Sequence, residues 1–389
     1  MIKRFKQLPQ KSFLLLGPRG VGKSTLIRQQ IKPKVEINLL LSREYISFSQ
    51  NPDLLENRLG HLKSGEWAFI DEVQRVPEIL NVIHDLYEKR RLHFAITGSS
   101  ARKIKRSGGN LLAGRALQSF LYPFVYPEFQ KYISIDEAID WGTLPLVVTE
   151  KEHRQETLAT YVETYLKEEL IHEGLIRKTE SFLRFLQVAG ILNGQSLNFE
   201  TVARESHIAR TTVQTYFEIL IDTLIGFYLP SYQPGLKVKE SAKPKFYYFD
   251  TGVARASAGL ISYDLDPAYR GFLFENFMIN QVRAYNEYTG KKLNLAYYGI
   301  SKSGEIDLII ETKKRMPNTK PEIIAIEFKL GSKFKQEWLK SFSLITDTKK
   351  INVSKKICVY TGQDTLTFND IQVISAEEFL KNLFTGKVF

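Results

Sequence analysis

The stretch FLLLGPRGVGKST, Phe13 to Thr25, runs an apolar strand straight into G-x-x-x-x-G-K-S and then into a helix. That order has the chemistry of a phosphate-binding loop. Gly17, Gly20 and Gly22 let backbone N–H groups turn inward around phosphates, while Lys23 reaches the β and γ oxygens. Ser24 brings a hydroxyl to Mg²⁺, and Thr25 completes the loop where the new helix adds its positive dipole end. ATP and Mg²⁺ are the expected cofactors.

The other half of such a site is an apolar strand closed by acids, and WAFIDE, Trp67 to Glu72, supplies it. Asp71 is placed to hold Mg²⁺ through water, and Glu72 to orient and deprotonate the attacking water. A third strand, HFAITGSS, ends in Thr97, Ser99 and Ser100. Thr97 is the expected γ-phosphate sensor between the acid strand and the loop, with Ser99 as the alternative. A helical stretch then closes in Gly114-Arg115-Ala116 before the strand LQSFLYP. Arg115 stands where an arginine finger would reach a neighbouring subunit's nucleotide, a contribution of about 10³–10⁵ in rate. Arg102 and Arg106 compete for that role.

A second constellation lies in the last third. GEIDLII, Gly304 to Ile310, alternates so that Glu305, Asp307 and Ile309 fall on one side and Ile306, Leu308 and Ile310 on the other. EIIAIEFKL, Glu322 to Leu330, puts Glu327 and Lys329 on one face with Ile326 and Phe328 buried. Pairing these strands brings Asp307 and Glu327 together as a possible second site for Mg²⁺ or Mn²⁺, with Lys329 beside the attacking water. An upstream helix, Gly271 to Tyr285, offers Glu275 from an otherwise apolar surface.

Between the two constellations, residues 198–229 read as a short helix, a turn at Ser206-His207-Ile208 and a longer helix with Val213, Tyr216, Phe217, Leu220 and Ile221 inward. Arg210, Thr211, Thr212, Gln214 and Thr215 face outward, short polar donors suited to a major groove. Two strands, FYLPSY and KFYYFD, follow, joined by a basic loop. Lys237, Lys239, Lys243 and Lys245 in or beside that loop are expected to contact DNA phosphates, which carry no sequence information.

Composition bounds these readings. With 389 residues, 43% hydrophobic and 12% aromatic, the chain can bury several cores, so two to four domains are expected. A net charge of +11 favours a polyanion partner. One cysteine excludes intramolecular disulfides and thiol-rich metal sites, and six histidines without H-E-x-x-H spacing argue against zinc. No apolar run approaches the roughly 18 residues that span a bilayer, and MIKRFKQLPQ has no apolar core behind its charges. The expectation is a cytoplasmic protein with no membrane partner.

Taken in order, GPRGVGKST, FIDEVQRVPEIL, ITGSS, LLAGRA, LYPFVYPEF, PKFYYFDTGVA, FENF, GEIDLII and IEFKL resemble the bacterial and archaeal AAA-type (AAA+) ATPases with a C-terminal domain long catalogued as of unknown function. The resemblance spans nearly the whole chain. It implies an α/β fold with an AAA+ P-loop core at 1–130, a helical lid at 131–178, a winged helix at 179–260 and a restriction-endonuclease-like domain at 261–389. It also implies assembly into a homo-oligomeric ring, such as a hexamer. Nucleotide roles carry over to Lys23, Ser24, Asp71, Glu72 and Arg115, and nuclease-like roles to Glu275, Asp307, Glu327 and Lys329. One departure is WGTLPLVV, from Trp141, where a glycine-glycine-phenylalanine-proline-like turn is usual. The expected function is ATP hydrolysis coupled to binding and translocating on or remodelling duplex or branched DNA. An ATP-gated metal-dependent nuclease and a signalling or defence switch that docks a protein stand as alternatives.

Overall fold

Four consecutive apolar residues, Phe13–Leu16, are all buried, the mark of a strand covered on both faces and therefore of a parallel sheet. In the computed structural model, which describes residues 2–100, 116–166, 179–233, 243–300, 304–317, 319–346 and 351–389, this strand is β1. It pairs in parallel with β4 (His93–Gly98) on one side and β5 (Leu117–Phe120) on the other. With β2 (Val35–Asn38) and β3 (Trp67–Asp71) the sheet runs β2-β3-β4-β1-β5. Helices Lys23–Gln30, Ser42–Gln50, Leu54–Arg58 and Ile79–Arg90 accompany these strands. One core of Leu14, Leu16, Ile37, Ile70, Ile83, Phe94 and Ile96 fills the unit. The phosphate loop and the acids thus leave the carboxyl ends of β1 and β3, the two neighbours of β4, on the rim where open α/β sheets collect their ligands. This compact unit comprises Met1–Phe124 with Ile219–Ile225.

The second compact unit comprises Val125–Glu218 and Gly226–Phe389. Helix Phe199–Ser206 begins at Asn198, whose side chain accepts from Glu200 N–H, and ends at His207 with φ +54°. That left-handed residue turns the chain toward helix Arg210–Asp222. Aromatic rings build the adjoining core: Phe182 meets Tyr216 at 5.1 Å, and Phe217 meets Phe185 at 4.8 Å and Phe246 at 4.9 Å. The two strands that follow, β6 (Gly226–Leu229) and β7 (Lys245–Tyr248), pair antiparallel. Helix, helix and strand pair appear in the order expected. Among the described residues, no helix is long and apolar enough to cross a membrane.

The rest of this unit is a six-stranded sheet made of β8 (Asn294–Ile300), β9 (Gly304–Lys313), β10 (Glu322–Lys329), β11 (Asn352–Tyr360), β12 (Leu366–Phe368) and β13 (Ile371–Ser375), in the order β12-β13-β11-β10-β9-β8. Strand β10 runs antiparallel to β9 and parallel to β11. Helix Pro267–Tyr288, capped by Asp266, packs against β10, and Phe274 meets Phe328 edge-on at 6.3 Å.

Three further ties act inside the second unit. Asp250 accepts from Thr143 N–H at 2.7 Å and Val253 N–H at 3.1 Å, joining the start of helix Thr251–Ser257 to the segment after Gly142. Gly142 has φ +78°, and a Cβ there would lie 2.0 Å from Asp250 Oδ1, so only glycine fits. Arg270 reaches Asp136 at 2.6 Å and Asp140 at 2.7 Å. Ser231, just past β6, pairs with Tyr297 of β8.

One expectation about β9 needs correcting. Strict alternation would separate Ile306 from Ile309, yet both lie in one apolar cluster with Ile323, Ala325 and Cys358. Tyr298 pairs with Ile306 and Ala296 with Ile309, so β9 carries one more residue than β8 between those pairs. The bulge changes the phase of the strand at Asp307-Leu308.

Candidate functional site

The residues that the spacing singled out in the first unit converge. Gly22 caps the helix that begins at Lys23 from the left-handed region, with φ +89°, which lets the loop turn sharply into the helix. Gly20 also has a positive φ, and a Cβ on Gly17 would meet the Leu121 carbonyl at 2.5 Å. Lys23 is 5% exposed and donates to the carbonyls of Gly17 at 2.8 Å and Pro18 at 3.1 Å. Its ammonium lies 3.7 Å from Glu72 Oε1. Ser24 Oγ donates to Asp71 at 2.8 Å, bringing together the two groups expected at Mg²⁺. Thr25 follows on the same helix.

Thr97 ties the two acids to each other. Its hydroxyl donates to Asp71 Oδ1 at 2.5 Å and accepts from Glu72 N–H at 2.9 Å. Glu72 itself has φ +60°, an uncommon backbone for a residue without special local reason. Ser99 Oγ, the alternative to Thr97, donates to Glu72 Oε2 at 3.0 Å. Gln74, which sequence reasoning missed, donates its amide to both Glu72 Oε2 at 2.5 Å and Ser99 Oγ at 2.8 Å. Its sequence signal was its place two residues after Glu72.

The electrostatics divide the two acids. Burial pushes the Asp71 carboxyl above its usual range; hydrogen bonds from Thr97 and Ser24 only partly offset that, and the neighbouring Glu72 charge adds to it. Burial also pushes Glu72 upward, but the Lys23 charge, the bonds from Gln74 and Ser99 and the nearby Arg19 outweigh it, leaving Glu72 below its usual range. Glu72 is therefore a carboxylate at neutral pH, as a general base requires. Arg115, like Arg102 and Arg106, lies outside the described residues.

In the second unit Glu275, Asp307, Glu327 and Lys329 also come together, in a setting that two lysines dominate. Lys329 Nζ lies 2.5 Å from Glu327 Oε2 and 3.4 Å from Asp307 Oδ2, which also accepts from Phe328 N–H at 2.8 Å. Glu327 is fully buried; the expected division of β10 into a polar face and a buried one does not hold, because both faces of the strand are covered. Lys245 donates to Glu275 Oε1 at 2.9 Å and lies 2.7 Å from Glu305 Oε1. Tyr247 donates to the same Glu275 oxygen at 2.5 Å.

Lys245 corrects a second expectation. It was assigned with the loop lysines to DNA phosphates, but it is 1% exposed and its ammonium is engaged inside the unit. Its place in KFYYF, two residues before Tyr247 on one strand face, is the signal that could have shown a buried lysine. Burial opposes its charge, while Glu275, Tyr247, Asp307 and Glu305 hold it well above the ordinary lysine range. Burial raises Glu275 to about 7 against the pull of Lys245. It also lifts Glu327 well above its usual range, helped by the Asp307 charge. Among the described residues, no three His, Cys, Asp or Glu side chains gather as ligands for one ion.

On helix Arg210–Asp222, Arg210, Thr211 and Thr215 are exposed, and Thr212 and Gln214 are half-buried. Arg210 lies 3.7 Å from Glu200, and Thr215 Oγ1 donates back to the Thr211 carbonyl. Lys243 is exposed, whereas Lys237 and Lys239 lie outside the described residues.

Comparison with known proteins agrees with the order of these parts. Residues 9–130 match the family described as AAA domain, residues 133–264 a domain of unknown function (DUF8612), and residues 270–379 another domain of unknown function (DUF4143). An uncharacterized protein of Methanocaldococcus jannaschii is 21% identical over 404 residues, spanning 94% of this chain and 86% of that protein. Among solved structures, a Thermotoga maritima RuvB variant is 16% identical over 57% of this chain and 82% of its own, with a TM-score of 0.30. The Aeropyrum pernix ORC1 protein, solved in complex with DNA, is 12% identical over 66% of this chain and 87% of its own, with a TM-score of 0.33. The chain thus joins a match to the AAA domain family over residues 9–130 to a C-terminal match to a domain of unknown function over residues 270–379.

Proposed function

We propose that the protein hydrolyses Mg²⁺-ATP at the Lys23–Glu72 centre and uses the cycle to move along or remodel DNA. One observation carries the first part: Lys23, Ser24, Asp71, Glu72 and Thr97, drawn from three strand ends, form one connected set. In this reading Lys23 and the loop N–H groups hold the phosphates, and Ser24 and Asp71 hold Mg²⁺. Glu72 takes a proton from water, and Thr97 couples the base to the metal ligand. Bound Mg²⁺ would neutralise charge on the phosphates. A neighbouring subunit's Arg115 would complete the site in a ring.

DNA as the partner is supported by the charge of +11, by exposed Arg210 and Thr211 beside half-buried Thr212 and Gln214 on one helix, and by exposed Lys243. The engagement of Glu275, Asp307 and Glu327 by Lys245 and Lys329 favours a binding platform over a metal-dependent nuclease.

The test has two arms. Lys23→Ala should remove most nucleotide binding, whereas Glu72→Gln should bind ATP and lose about 10²–10⁴ in turnover; parental turnover in Glu72→Gln overturns the hydrolytic assignment. ATPase rates with single-stranded, duplex and branched DNA test the coupling. Replacing Lys237, Lys239 and Lys243 with Glu should weaken DNA binding alike for all sequences. Unchanged affinity would transfer this element to protein docking.

A further inference from the structure

The turn between β9 and β10 and the turn before β8 stand at one end of the terminal sheet, as the pairing of Glu322 with Lys313 and of Asn294 with Glu311 requires. The first turn is a hairpin tip closed by Thr319 N–H donating to the Met316 carbonyl at 3.1 Å. It presents Lys314, Arg315 and Lys320, all exposed, with Met316, 64% exposed, at the start of its closing turn. The second turn adds exposed Lys291 and Lys292. The acids at this end are few. Glu322 is bound by Lys313 at 3.0 Å, Glu311 takes the Asn294 amide at 2.7 Å, and Glu287 is half-buried.

We propose that this edge of the sheet is a second nucleic-acid contact, gripping the phosphate backbone of duplex DNA without reading sequence. The inference rests on the DNA reading above and adds a surface that none of its residues belong to. Three features choose the occupant. Five exposed cations sit on two turns beside adjacent strands about 5 Å apart, with the Lys291 ammonium 5.5 Å from the centre of the Phe389 ring. Duplex DNA presents one negative charge per about 1.7 Å of axis, so such a row meets several phosphates at once. The exposed Met316, followed by Pro317, puts an apolar group among the cations, suited to the sugar face or to a base step. A lysine-rich turn that only kept the protein in solution would gain nothing from an exposed methionine at its tip.

The experiment uses the full chain and a labelled 20-base-pair duplex, with affinity followed across a salt series. Each neutralised phosphate contributes about 0.9 to the slope of log affinity against log salt. Lys314→Glu/Arg315→Glu/Lys320→Glu should therefore weaken binding and flatten the slope by about two to three, with thermal unfolding as the control for folding. Should that charge reversal unfold the chain, Lys314→Gln/Arg315→Gln/Lys320→Gln is read in its place, with the same expected direction. A parent that binds duplex and a tip variant with the parental affinity and slope would overturn this proposal while leaving the DNA reading intact. A parent that binds no DNA would overturn both. Displacement of the duplex by equimolar polyglutamate, with the tip variant losing polyglutamate binding, would reassign the edge to an acidic protein.

Discussion

Gln74 Nε2 stands 2.5 Å from Glu72 Oε2, and Ser99 Oγ donates to that same oxygen, while the other Glu72 oxygen faces Lys23. One carboxylate is thus held from three directions, and its low proton affinity depends on those holders. If Glu72 is the base, the acid limb of the ATPase pH profile reports its deprotonation. Gln74→Ala removes a bond that favours the carboxylate, so Glu72 rises and the acid limb moves to higher pH, with nucleotide affinity little changed. Activity profiles of parent and variant across the acid range check this; a coincident limb places Gln74 in a purely structural role.

Lys245→Met should destabilise the second unit by about 3–5 kcal/mol, because Glu275 would be left buried without its cationic partner, with only the Tyr247 hydroxyl on that oxygen. Adding Glu275→Gln to that variant should recover a large part of the loss. Denaturant midpoints for the parent, single and double variants decide it, and a near-neutral single variant would show that the ammonium is dispensable.

Gly142→Ala forces a Cβ against Asp250 in a backbone region that suits glycine, with an expected loss of about 1–3 kcal/mol or more. Asp250 also sets a pH dependence. Burial raises it from 3.8 to about 6, despite hydrogen bonds from Thr143, Val253, Gly252 and Leu144. The folded value lies above the ordinary one, so its stabilising contribution is complete below about pH 4 and lost as pH rises through 6. Urea midpoints on either side of pH 6 should show that decline in the parent and a smaller one in Asp250→Ser.

Mn²⁺ titrated by calorimetry into Lys23→Ala and into Lys23→Ala/Asp307→Asn should give equal heats, since lysines already hold the carboxylates of the terminal domain. Heat seen only with Asp307 intact would restore the nuclease reading.

How legible each part was follows from how local its physics is. Lys23, Ser24, Asp71, Glu72 and Thr97 could be read because strand ends in a parallel sheet bring fixed positions to one rim, so short spacings suffice. KFYYF hinted that Lys245 is buried, but its partners could not be read, because Glu275 and Glu305 come from a helix and a strand far along the chain. An exposed basic loop beside it made a phosphate contact the simpler reading. Gln74 lies within FIDEVQRVPEIL, but that string does not mark its side chain out, since its role lies in holding another one. The bulge in β9 was hidden because alternation is assumed until a neighbouring strand shows one residue too many.

That extra residue makes Asp307 an electrical junction. Sitting where the strand changes phase, its charge is felt by Glu327 and Cys358 on one hand and by Glu275, Lys245 and Tyr247 on the other. Two pairings that would otherwise be separate circuits are wired as one. Deleting Leu308 would restore strict alternation and rotate neighbours by a strand face, so the length of β9, as much as its composition, sets which charges Asp307 lies among.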